Sequence, residues 1–493
     1  MLSARRSIFY LFASRYIIMV AQVISTMILA RLLTPAEIGI YSVASAFVSI
    51  GLMLRDFGIS TYIVQEKEIN DEILRAAFSA MLITASAAAF LIYTCGGYIA
   101  NFYNEPGIES ITNILFFNFL LIPFGSTTIS YFRRDMRFDV VTRIEVISSI
   151  VHAITAVTCA YFGLSYLSLA WASIAGTITT ISMTFFYRPK DFPFLPGLKG
   201  IGKILHFGKW ASSGAIIGNF GNRAPDLIIG KILTMEAVGL FSRALSLVNL
   251  FNYLIIQGLR PLFIPFFASK NRSGSAPKEH YLYIVACITG LAWPFFVFIG
   301  INASPIIRIM FGDQWHAAVP LVKWLCLGQC IYVFTMNIED VLKGLGLIKR
   351  VFRLQTIMPL LRISCILVAA PLGIEAVALA LVVIPIIRIF VIRKDLLSLG
   401  VRLLDHTKPL IKSLGVALSS FIGLLLVNLT WNTGSNGGFL LLIVSGVAWA
   451  IGWLLGLWLT NHPLKSELVT ILKKAQIQAS AKFPMFRRLG KFL

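Results

Sequence analysis

The sequence predicts an all-α, polytopic membrane protein with about 14 transmembrane helices, and three observations support this class. The chain of 493 residues is 57% hydrophobic and only 13% charged, whereas soluble domains carry roughly 25% charged residues. Apolar runs of about 20 residues, each long enough to cross a bilayer as a helix, recur along the whole chain. The formal net charge is +21, and the basic residues lie between the apolar runs, as they do in cytoplasmic loops.

The apolar runs and the residues that interrupt them give fourteen spans. Their approximate extents are 8–30, 37–58, 74–100, 108–131, 142–163, 165–187, 207–230, 236–266, 281–302, 317–342, 352–371, 373–392, 410–430 and 438–460. Most lysines and arginines fall in alternate loops, which predicts that both termini are cytoplasmic. The first run lacks a cleavage site, so we interpret it as an uncleaved span. The basic segment after residue 463 predicts a helix on the membrane surface.

Two segments that lie 200 residues apart are similar. Residues 30–50 read "ARLLTPAEIGIYSVASAFVSI" and residues 230–250 read "GKILTMEAVGLFSRALSLVNL". The identical pairs are Leu33/Leu233, Thr34/Thr234, Gly39/Gly239, Ser42/Ser242, Ala44/Ala244 and Val48/Val248. The similarity predicts two parallel six-helix bundles, residues 1–200 and 201–400, followed by two extra helices and a tail in residues 401–493. Transporters built from such repeats bind substrate where the repeats meet.

Polar side chains follow a helical spacing inside several spans. Arg15, Gln22 and Thr26 stand at i, i+7 and i+11 in the first span, so they share one helix face. The other clusters are Asn219, Asn222, Arg223 and Asp226 in span 7, Ser242, Ser246, Asn249 and Tyr253 in span 8, and Gln329, Tyr332, Glu339 and Asp340 in span 10. Ionisable groups are costly at membrane depth and usually face a cavity or a partner. The stripes therefore predict a polar cavity between the two bundles.

Several of the charged groups also have a structural interpretation. Arg223 and Asp226 are three residues apart and could neutralise each other. Arg55, Arg260 and Arg388 lie near the cytoplasmic side and could extend their guanidinium groups to the membrane surface. Glu339 and Asp340 could bind a coupling ion or proton, or pair with a basic residue of a facing helix.

Arginines outnumber carboxylates at membrane depth. The arginines are Arg15, Arg223, Arg243, Arg260, Arg362 and Arg388, and the carboxylates are Asp226, Glu339 and Asp340. An excess of guanidinium groups in a wet cavity suits an anion, and their planar donor geometry suits phosphate. The sequence contains no catalytic constellation, no metal-ligand set and no nucleic-acid-binding signature, so an enzyme and a nucleic-acid-binding protein are both disfavoured.

Two motifs carry a family resemblance. The stretch "LARLLTPAEIGIYSVASAFVSIGLMLRDFGISTYIVQEKEINDE", residues 29–72, resembles the polysaccharide repeat-unit (Wzx-type) flippases of the MOP exporter superfamily. The stretch "FGDQWHAAVPLVKWL", residues 311–325, looks like a second landmark of that family. The resemblance implies a flippase that moves an undecaprenyl-diphosphate-linked oligosaccharide repeat unit across the bacterial inner membrane by alternating access. Such a unit serves exopolysaccharide or lipopolysaccharide O-antigen synthesis.

The resemblance also implies partners and site residues. It implies contacts with membrane lipids, a polysaccharide polymerase and chain-length proteins, no cofactor, and coupling to protons, sodium or the membrane potential. Related lipid II flippases carry arginines on spans 1, 2 and 8, and Arg15, Arg55 and Arg243 look like the matching positions. We predict that the diphosphate is bound by Arg15, Arg55, Arg223 and Arg243, that Gln22, Asn219, Asn222 and Asn249 form the polar wall that contacts sugar, and that Asp226, Glu339 and Asp340 are candidates for ion coupling.

Three alternatives remain open at this point. A MATE-like cation or drug antiporter of the same architecture would depend on buried carboxylates such as Asp226 and Glu339, and Arg15 would be replaceable. A polysaccharide polymerase would be expected to carry a large extracytoplasmic loop, and the loops between the predicted spans are short. A membrane scaffold without transport activity would leave the polar stripes unexplained.

Overall fold

The structure is a computed structural model that describes residues 4–190, 192, 193, 195–259, 263, 266, 267, 269, 277–430, 438–470 and 473. These residues are mostly helical and include no β-strand, which confirms the all-α class. Among them, 11 helices are long and apolar enough to cross a membrane, or 13 if each of two bent pairs counts as one span. The chain is therefore a multi-pass membrane protein. The number of 14 spans stays a prediction.

The helices follow the order of the predicted spans. The first ten are α1 (Ala4–Leu32), α2 (Pro35–Asp56), α3 (Ile59–Gln65), α4 (Asp71–Tyr103), α5 (Pro106–Leu121), α6 (Pro123–Arg134), α7 (Phe138–Tyr161), α8 (Leu167–Tyr187), α9 (Ile201–Ile232) and α10 (Met235–Val248). The later ones are α11 (Pro277–Ile301), α12 (Ala303–Met310), α13 (Val319–Val333), α14 (Ile338–Gly344), α15 (Ile348–Ala369), α16 (Ile374–Val391), α17 (Arg393–Ser398), α18 (Thr407–Thr430) and α19 (Gly438–Leu459). Each predicted span overlaps at least one of these helices.

Two of the predicted spans are bent. The fourth consists of α5 and α6, which meet at an angle of 50° where Pro123 lacks the N–H that a continuous helix needs. The eighth begins as α10 and continues through a π-helix, Asn252–Ile256, with a bend of 41°. A π-helix widens the turn and often marks a functional site, so the residues around the second bend are candidates for such a site.

The helices form two compact units, each described here by itself. The first comprises Met1–Gly258, Met310–Leu321 and Phe352–Leu381, and the second comprises Leu259–Ile309, Val322–Val351 and Val382–Leu493. A division by packing does not test a sequence duplication, so the bundle boundaries at residues 200 and 400 stay predictions. Most of the predicted surface helix after residue 463 lies outside the described residues, although residues 463–470 are helical. Arg260 also lies outside them.

In both copies of the repeat a threonine caps the start of a helix, Thr34 before α2 and Thr234 before α10. The Thr34 side chain accepts a hydrogen bond from the Glu37 N–H, and the Glu37 carboxylate accepts one from the Thr34 N–H at 2.7 Å. This reciprocal capping box, followed by Pro35, fixes the first turn of α2. In the second copy Thr234 accepts from the Ala237 N–H at 3.1 Å and starts α10 in the same way.

The two repeated helices cross each other inside the first unit at equivalent positions. A Cβ atom on Gly39 would lie 1.7 Å from the carbonyl oxygen of Met235, and one on Gly239 would lie 1.9 Å from that of Pro35. The hydroxyls of Ser42 and Ser242 are 3.3 Å apart. Only glycine permits such an approach of two helix backbones. The residues that touch differ by the same offset of 200 that the repeat predicts.

In the second unit, the last helical hairpin, α18 and α19, packs on α11. Pro294 lies inside α11 and has no N–H, so the carbonyl of Gly290, one turn earlier, has no backbone donor. The indole N–H of Trp453 donates to that carbonyl at 3.0 Å, and Trp449 donates to the carbonyl of Pro294 at 2.8 Å. The hairpin thus satisfies a backbone group that the proline leaves open.

Just after α19, His462 completes a buried polar chain. Its Nε2 lies 3.1 Å from the Ser413 hydroxyl, which lies 2.7 Å from that of Thr289, and its Nδ1 accepts the Leu464 N–H at 3.2 Å. Because Nδ1 is an acceptor, the ring is neutral in this arrangement. Burial, and then the charge of Lys412, lower the pKa of His462 from 6.5 to about 4.

Candidate substrate-binding site

A pocket of about 350 Å³ lies in the first unit, between α1 and the bent span that contains α10. Its lining residues are Arg15, Ile18, Met19, Gln22, Val23, Thr26, Ser246, Leu247, Leu250, Tyr253, Gln257, Met310 and Phe311. Arg15 is the only charged residue among them, so the electrostatic potential in the pocket is positive near that side chain. A positive pocket lined by polar and apolar groups suits an amphipathic anion.

Two polar stripes form opposite walls of this pocket. The stripe of α1 is Arg15, Gln22 and Thr26, and the stripe of the bent span is Ser246, Tyr253 and Gln257. Both sets follow the spacing i, i+7, i+11. In α1 this spacing keeps the side chains on one helix face, whereas in the bent span the π-helix and the bend of 41° also determine where they point. The face predicted from the sequence of α1 therefore lies along a cavity.

Arg15 is fixed by a backbone group of the bent span. Its Nη1 donates to the carbonyl oxygen of Gln257 at 2.7 Å, and the neighbouring Tyr16 hydroxyl donates to that of Leu254 at 3.3 Å. Both carbonyls lie in or just beyond the π-helix. A guanidinium carries five N–H donors in a rigid plane, so one bond to Gln257 orients the group and leaves further donors for a ligand.

Arg243 does not line the pocket, although Ser246 and Leu247, one turn later, do. Its guanidinium carbon lies 5.8 Å from the centre of the Trp315 ring. The Trp315 ring in turn makes an edge contact with Phe311, 6.3 Å between centroids, and Phe311 lines the pocket. Arg243 is thus linked to the pocket through two aromatic rings.

The dense polar cluster on α9 is engaged mainly with other parts of the first unit. Asn219 donates to the carbonyl of Ser49 at 3.3 Å, and Asn222 accepts a bond from Arg362 of α15 at 2.9 Å. Arg223 and Asp226 approach each other to 4.0 Å, as the structural interpretation of this pair expected. None of the four lines the pocket.

Close packing explains the glycine inside the same cluster. A Cβ atom on Gly221 would lie 2.3 Å from the Cβ of Pro359, whereas one on Gly218 would meet nothing within 4 Å. The absence of a side chain at Gly221 lets α9 and α15 approach, and that approach brings Asn222 within reach of Arg362. The sequence "NFGNRAPD" therefore combines a helix contact with the polar bonds beside it.

The two remaining predicted polar residues of the first unit lie elsewhere. Arg55, in the last turn of α2, keeps its Nε and Nη1 atoms buried, and neither has a hydrogen-bond partner within the described residues. Buried nitrogens do not fit a guanidinium extended to the surface. Asn249 caps the end of α10, at the start of the bend. Neither residue lines the pocket.

The carboxylates of span 10 belong to the second unit and are paired. Glu339 lies 3.2 Å from the guanidinium of Arg388, which also lies over the ring of Tyr332 at 5.3 Å. Asp340 lies 3.8 Å from Lys343. Since Arg388 is only 4% exposed, its bond with Glu339 balances a charge that would be costly alone.

Sequence reasoning missed part of the pocket. Gln257 was not singled out, although its spacing from Ser246 and Tyr253 repeats that of the α1 stripe, and this signal was available. Met310 and Phe311 join the pocket from a segment nearly 300 residues after α1. No periodicity within a helix could place them there, because their position depends on tertiary packing.

Comparisons with known proteins agree with this fold. Residues 28–320 match the sequence profile of a family described as "Polysaccharide biosynthesis protein". The succinoglycan biosynthesis transport protein ExoT of Rhizobium meliloti (strain 1021) is 24% identical over 326 residues, 65% of each chain. The lipopolysaccharide biosynthesis protein WzxC of Escherichia coli (strain K12) is 21% identical over 306 residues, and the teichuronic acid biosynthesis protein TuaB of Bacillus subtilis (strain 168) is 21% identical over 323. These alignments cover 61% of WzxC and 65% of TuaB, and 61% and 63% of this chain.

Solved structures share the architecture. The lipid II flippase MurJ in an inward closed conformation matches 91% of this chain and 98% of its own, with a TM-score of 0.74 and 14% identity. An inward-facing multidrug resistance MATE family transporter of the MOP superfamily matches 77% of this chain and 94% of its own, with a TM-score of 0.59 and 13% identity. These likenesses show the fold. The profile match extends over more than half of the chain, and the chain therefore belongs to the polysaccharide biosynthesis protein family.

Proposed function

We propose that this protein is a flippase, and not an enzyme, for a lipid-linked oligosaccharide. Its substrate is an undecaprenyl-diphosphate-linked repeat unit, which it moves across the bacterial inner membrane for exopolysaccharide or O-antigen synthesis. The observation that carries the proposal is the pocket whose one charged lining residue is Arg15, set among polar side chains on two facing helices. The family match and the MurJ-like fold support it.

The chemistry of the pocket fits the head group of such a lipid. The guanidinium of Arg15 offers charge-assisted bonds to the diphosphate, which are stronger in a site of low dielectric than in water. Gln22, Thr26, Ser246 and Tyr253 offer hydrogen bonds to sugar hydroxyls. The polyprenyl tail is apolar and loses nothing by remaining in the lipid. Alternating exposure of this pocket to the two membrane faces would then move the head group.

Orientation, coupling and partners complete the proposal. The distribution of basic residues favours cytoplasmic termini. Transport would be coupled to protons, sodium or the membrane potential, with Asp226, Glu339 and Asp340 as candidate coupling groups and with no cofactor. A polysaccharide polymerase and chain-length proteins would receive the flipped unit, and nucleic acid plays no part.

The main rival is a cation or drug antiporter, because a MATE transporter shares the fold. A cation site needs a carboxylate in the pocket, whereas none of the residues that line this pocket is acidic. The positive sign of the pocket therefore favours an anionic substrate.

Replacement of Arg15 tests the proposal. The purified protein is reconstituted in liposomes with an undecaprenyl-diphosphate-linked oligosaccharide that carries a fluorescent label on its sugar, and the transfer of label between leaflets is followed. Arg15→Ala should slow transfer by about 10- to 100-fold, since a hydrogen bond to a charged group contributes roughly 1.5–3 kcal/mol. The transfer rate of Arg15→Lys should lie between those of the parent protein and Arg15→Ala, because lysine keeps the charge and lacks the planar guanidinium.

Arg133→Ala is the matched control. Arg133 forms an exposed ion pair with Glu145 at 3.0 Å, so its loss should leave transfer within about twofold of the parent protein. Full transfer by a well-folded Arg15→Ala variant would contradict the proposal. Efflux of a cationic dye that requires Asp226 or Glu339 and tolerates Arg15→Ala would establish the antiporter instead.

A further inference from the structure

The landmark that begins "FGDQW" has no role in the function proposed so far. Its turn is built around Gly312, whose φ of +101° is open to glycine and strained for other residues. Phe311 and Trp315 on either side are 1% and 0% exposed. A tight turn with two fully buried aromatic rings is a docked element, and its contacts show what it docks on.

The turn docks on the end of α1. The carbonyl of Ala30 would accept the N–H of Thr34 in a continuous helix, but that N–H is bound to Glu37 at 2.7 Å. The Trp315 indole N–H instead donates to the Ala30 carbonyl at 2.7 Å, and the Gln314 amide donates to the same oxygen at 2.5 Å. Both side chains thus anchor the turn where α1 ends.

Gln314 is exposed and also donates to the Leu33 carbonyl at 3.2 Å, whereas the ring of Trp315 is fully buried and touches Arg243. The guanidinium carbon of Arg243 lies 5.8 Å from the ring centre, within the range of a cation–π contact. The Nε of Arg243 is buried without a hydrogen-bond partner among the described residues. The negatively polarised face of the Trp315 ring therefore stabilises the positive charge of Arg243, whose Nε makes no hydrogen bond among the described residues.

We propose that Trp315 is a positioning residue that holds the Arg243 guanidinium near the pocket that Phe311 lines. Arg243 then binds the same anionic head group as Arg15 and provides it with a second cation. Trp315 itself does not touch the ligand. This inference rests on the proposed function, because it assigns Arg243 to the same substrate.

A purely structural role for Trp315 predicts a different pattern. If Trp315 only anchored α1, the effect of replacing it on binding would not depend on Arg243. If Trp315 positions Arg243, the loss of its aromatic face should weaken binding only while Arg243 is present. The Arg243→Ala background is therefore the control that separates the two roles, and Gln314→Met shows the effect of losing the neighbouring donor to Ala30.

The experiment is a double-mutant cycle on the full-length protein in nanodiscs. Trp315→Leu, Trp315→Phe and Gln314→Met are made in the parent and in an Arg243→Ala background, and binding of undecaprenyl diphosphate is titrated. Trp315→Leu should weaken binding by about 5- to 30-fold in the parent and by less than about twofold in the Arg243→Ala background. Trp315→Phe, which keeps an aromatic face, should restore most of the affinity.

Unfolding midpoints of the same variants give a readout that needs no ligand. The loss of midpoint caused by Trp315→Leu should be smaller in the Arg243→Ala background, because the contact is already absent there. Equal losses of affinity or of midpoint caused by Trp315→Leu in the two backgrounds would overturn the inference. If the parent protein bound no undecaprenyl diphosphate, the proposed function would fail, and the midpoint cycle would still decide whether Trp315 holds Arg243.

Discussion

The polar stripes of α1 and α9 give similar sequence signals and have different surroundings. Arg15, Gln22 and Thr26 of α1 line a pocket. The α9 cluster is engaged with protein groups, for example through the bond of 2.9 Å between Asn222 and Arg362. Both stripes place charge on an otherwise apolar helix, and the α1 stripe lines the pocket whereas the α9 stripe bonds to neighbouring helices.

The difference lies in what each helix can pair with. The α9 cluster contains a carboxylate, Asp226, within reach of Arg223, and it lies beside Gly221, which lets another helix approach. The α1 stripe contains no acid and no glycine between Arg15 and Thr26. A polar group at membrane depth is costly unless it is satisfied. A stripe that carries its own partners can therefore serve packing, whereas one without them needs a cavity.

The largest change in stability should come from adding a side chain at Gly221, where α9 packs against α15. In Gly221→Ala the new Cβ would meet Pro359 at 2.3 Å, so the free energy of unfolding should fall by about 3 kcal/mol, at the upper end of overpacking costs. Gly218→Ala, on the same helix with nothing within 4 Å, should raise it by about 0.5 kcal/mol. Denaturant titration in detergent measures both. Equal effects would mean that α9 is not packed as described.

The buried imidazole of His462, which is hydrogen-bonded through both ring nitrogens, should make the free energy of unfolding depend on pH. Its pKa is lowered to about 4 in the folded protein, so between pH 6.5 and pH 4 the unfolded chain binds a proton that the folded chain does not. Stability should therefore be unaffected by this group above pH 6.5 and fall by about 2 kcal/mol between pH 6.5 and pH 5. His462→Gln should flatten that part of the profile, and an unchanged slope would refute the assignment.

The bond between Asn222 and Arg362 should contribute an intermediate amount. Asn222→Leu removes an acceptor from a charged donor, and the free energy of unfolding should fall by about 1.5 kcal/mol. Binding of undecaprenyl diphosphate, measured at a temperature where the variant is folded, should stay within about twofold of the parent value. A large loss of affinity with unchanged stability would show that the α9 cluster is part of the site.

Gln22→Leu should give the opposite pattern and the smallest change in stability. The Gln22 side chain faces the pocket, so the free energy of unfolding should change by less than about 0.5 kcal/mol. Affinity for an undecaprenyl-diphosphate-linked sugar should fall by about 5-fold, as expected for one lost hydrogen bond. Affinity for undecaprenyl diphosphate without sugar should be unchanged. A destabilised variant would place Gln22 with the packing residues of α9.

Patterns within one helix were predictable from the sequence. The spacing of Arg15, Gln22 and Thr26 predicted a shared face, and the repeated threonines Thr34 and Thr234 lie at equivalent places, at the start of α2 and of α10. These signals are local patterns in the sequence, so they can be recognised without knowledge of the fold.

Contacts between distant segments were not predictable. The bond from Arg362 to Asn222 and the cation–π contact of Arg243 with Trp315 join residues 140 and 72 positions apart. Each is a contact between side chains that only packing brings together. The π-helix at Asn252–Ile256 also left no signal, because its apolar sequence suits an ordinary helix equally well.

The indole of Trp453 has a consequence for dissecting the chain. A protein truncated after residue 430 would lack that donor, and the carbonyl of Gly290 would have no protein partner, since Pro294 offers none. Trp453 of the final hairpin thus supplies the donor that the proline inside α11 lacks. Shortened variants should therefore be judged by whether α11 is still intact before any loss of transport is ascribed to the missing residues.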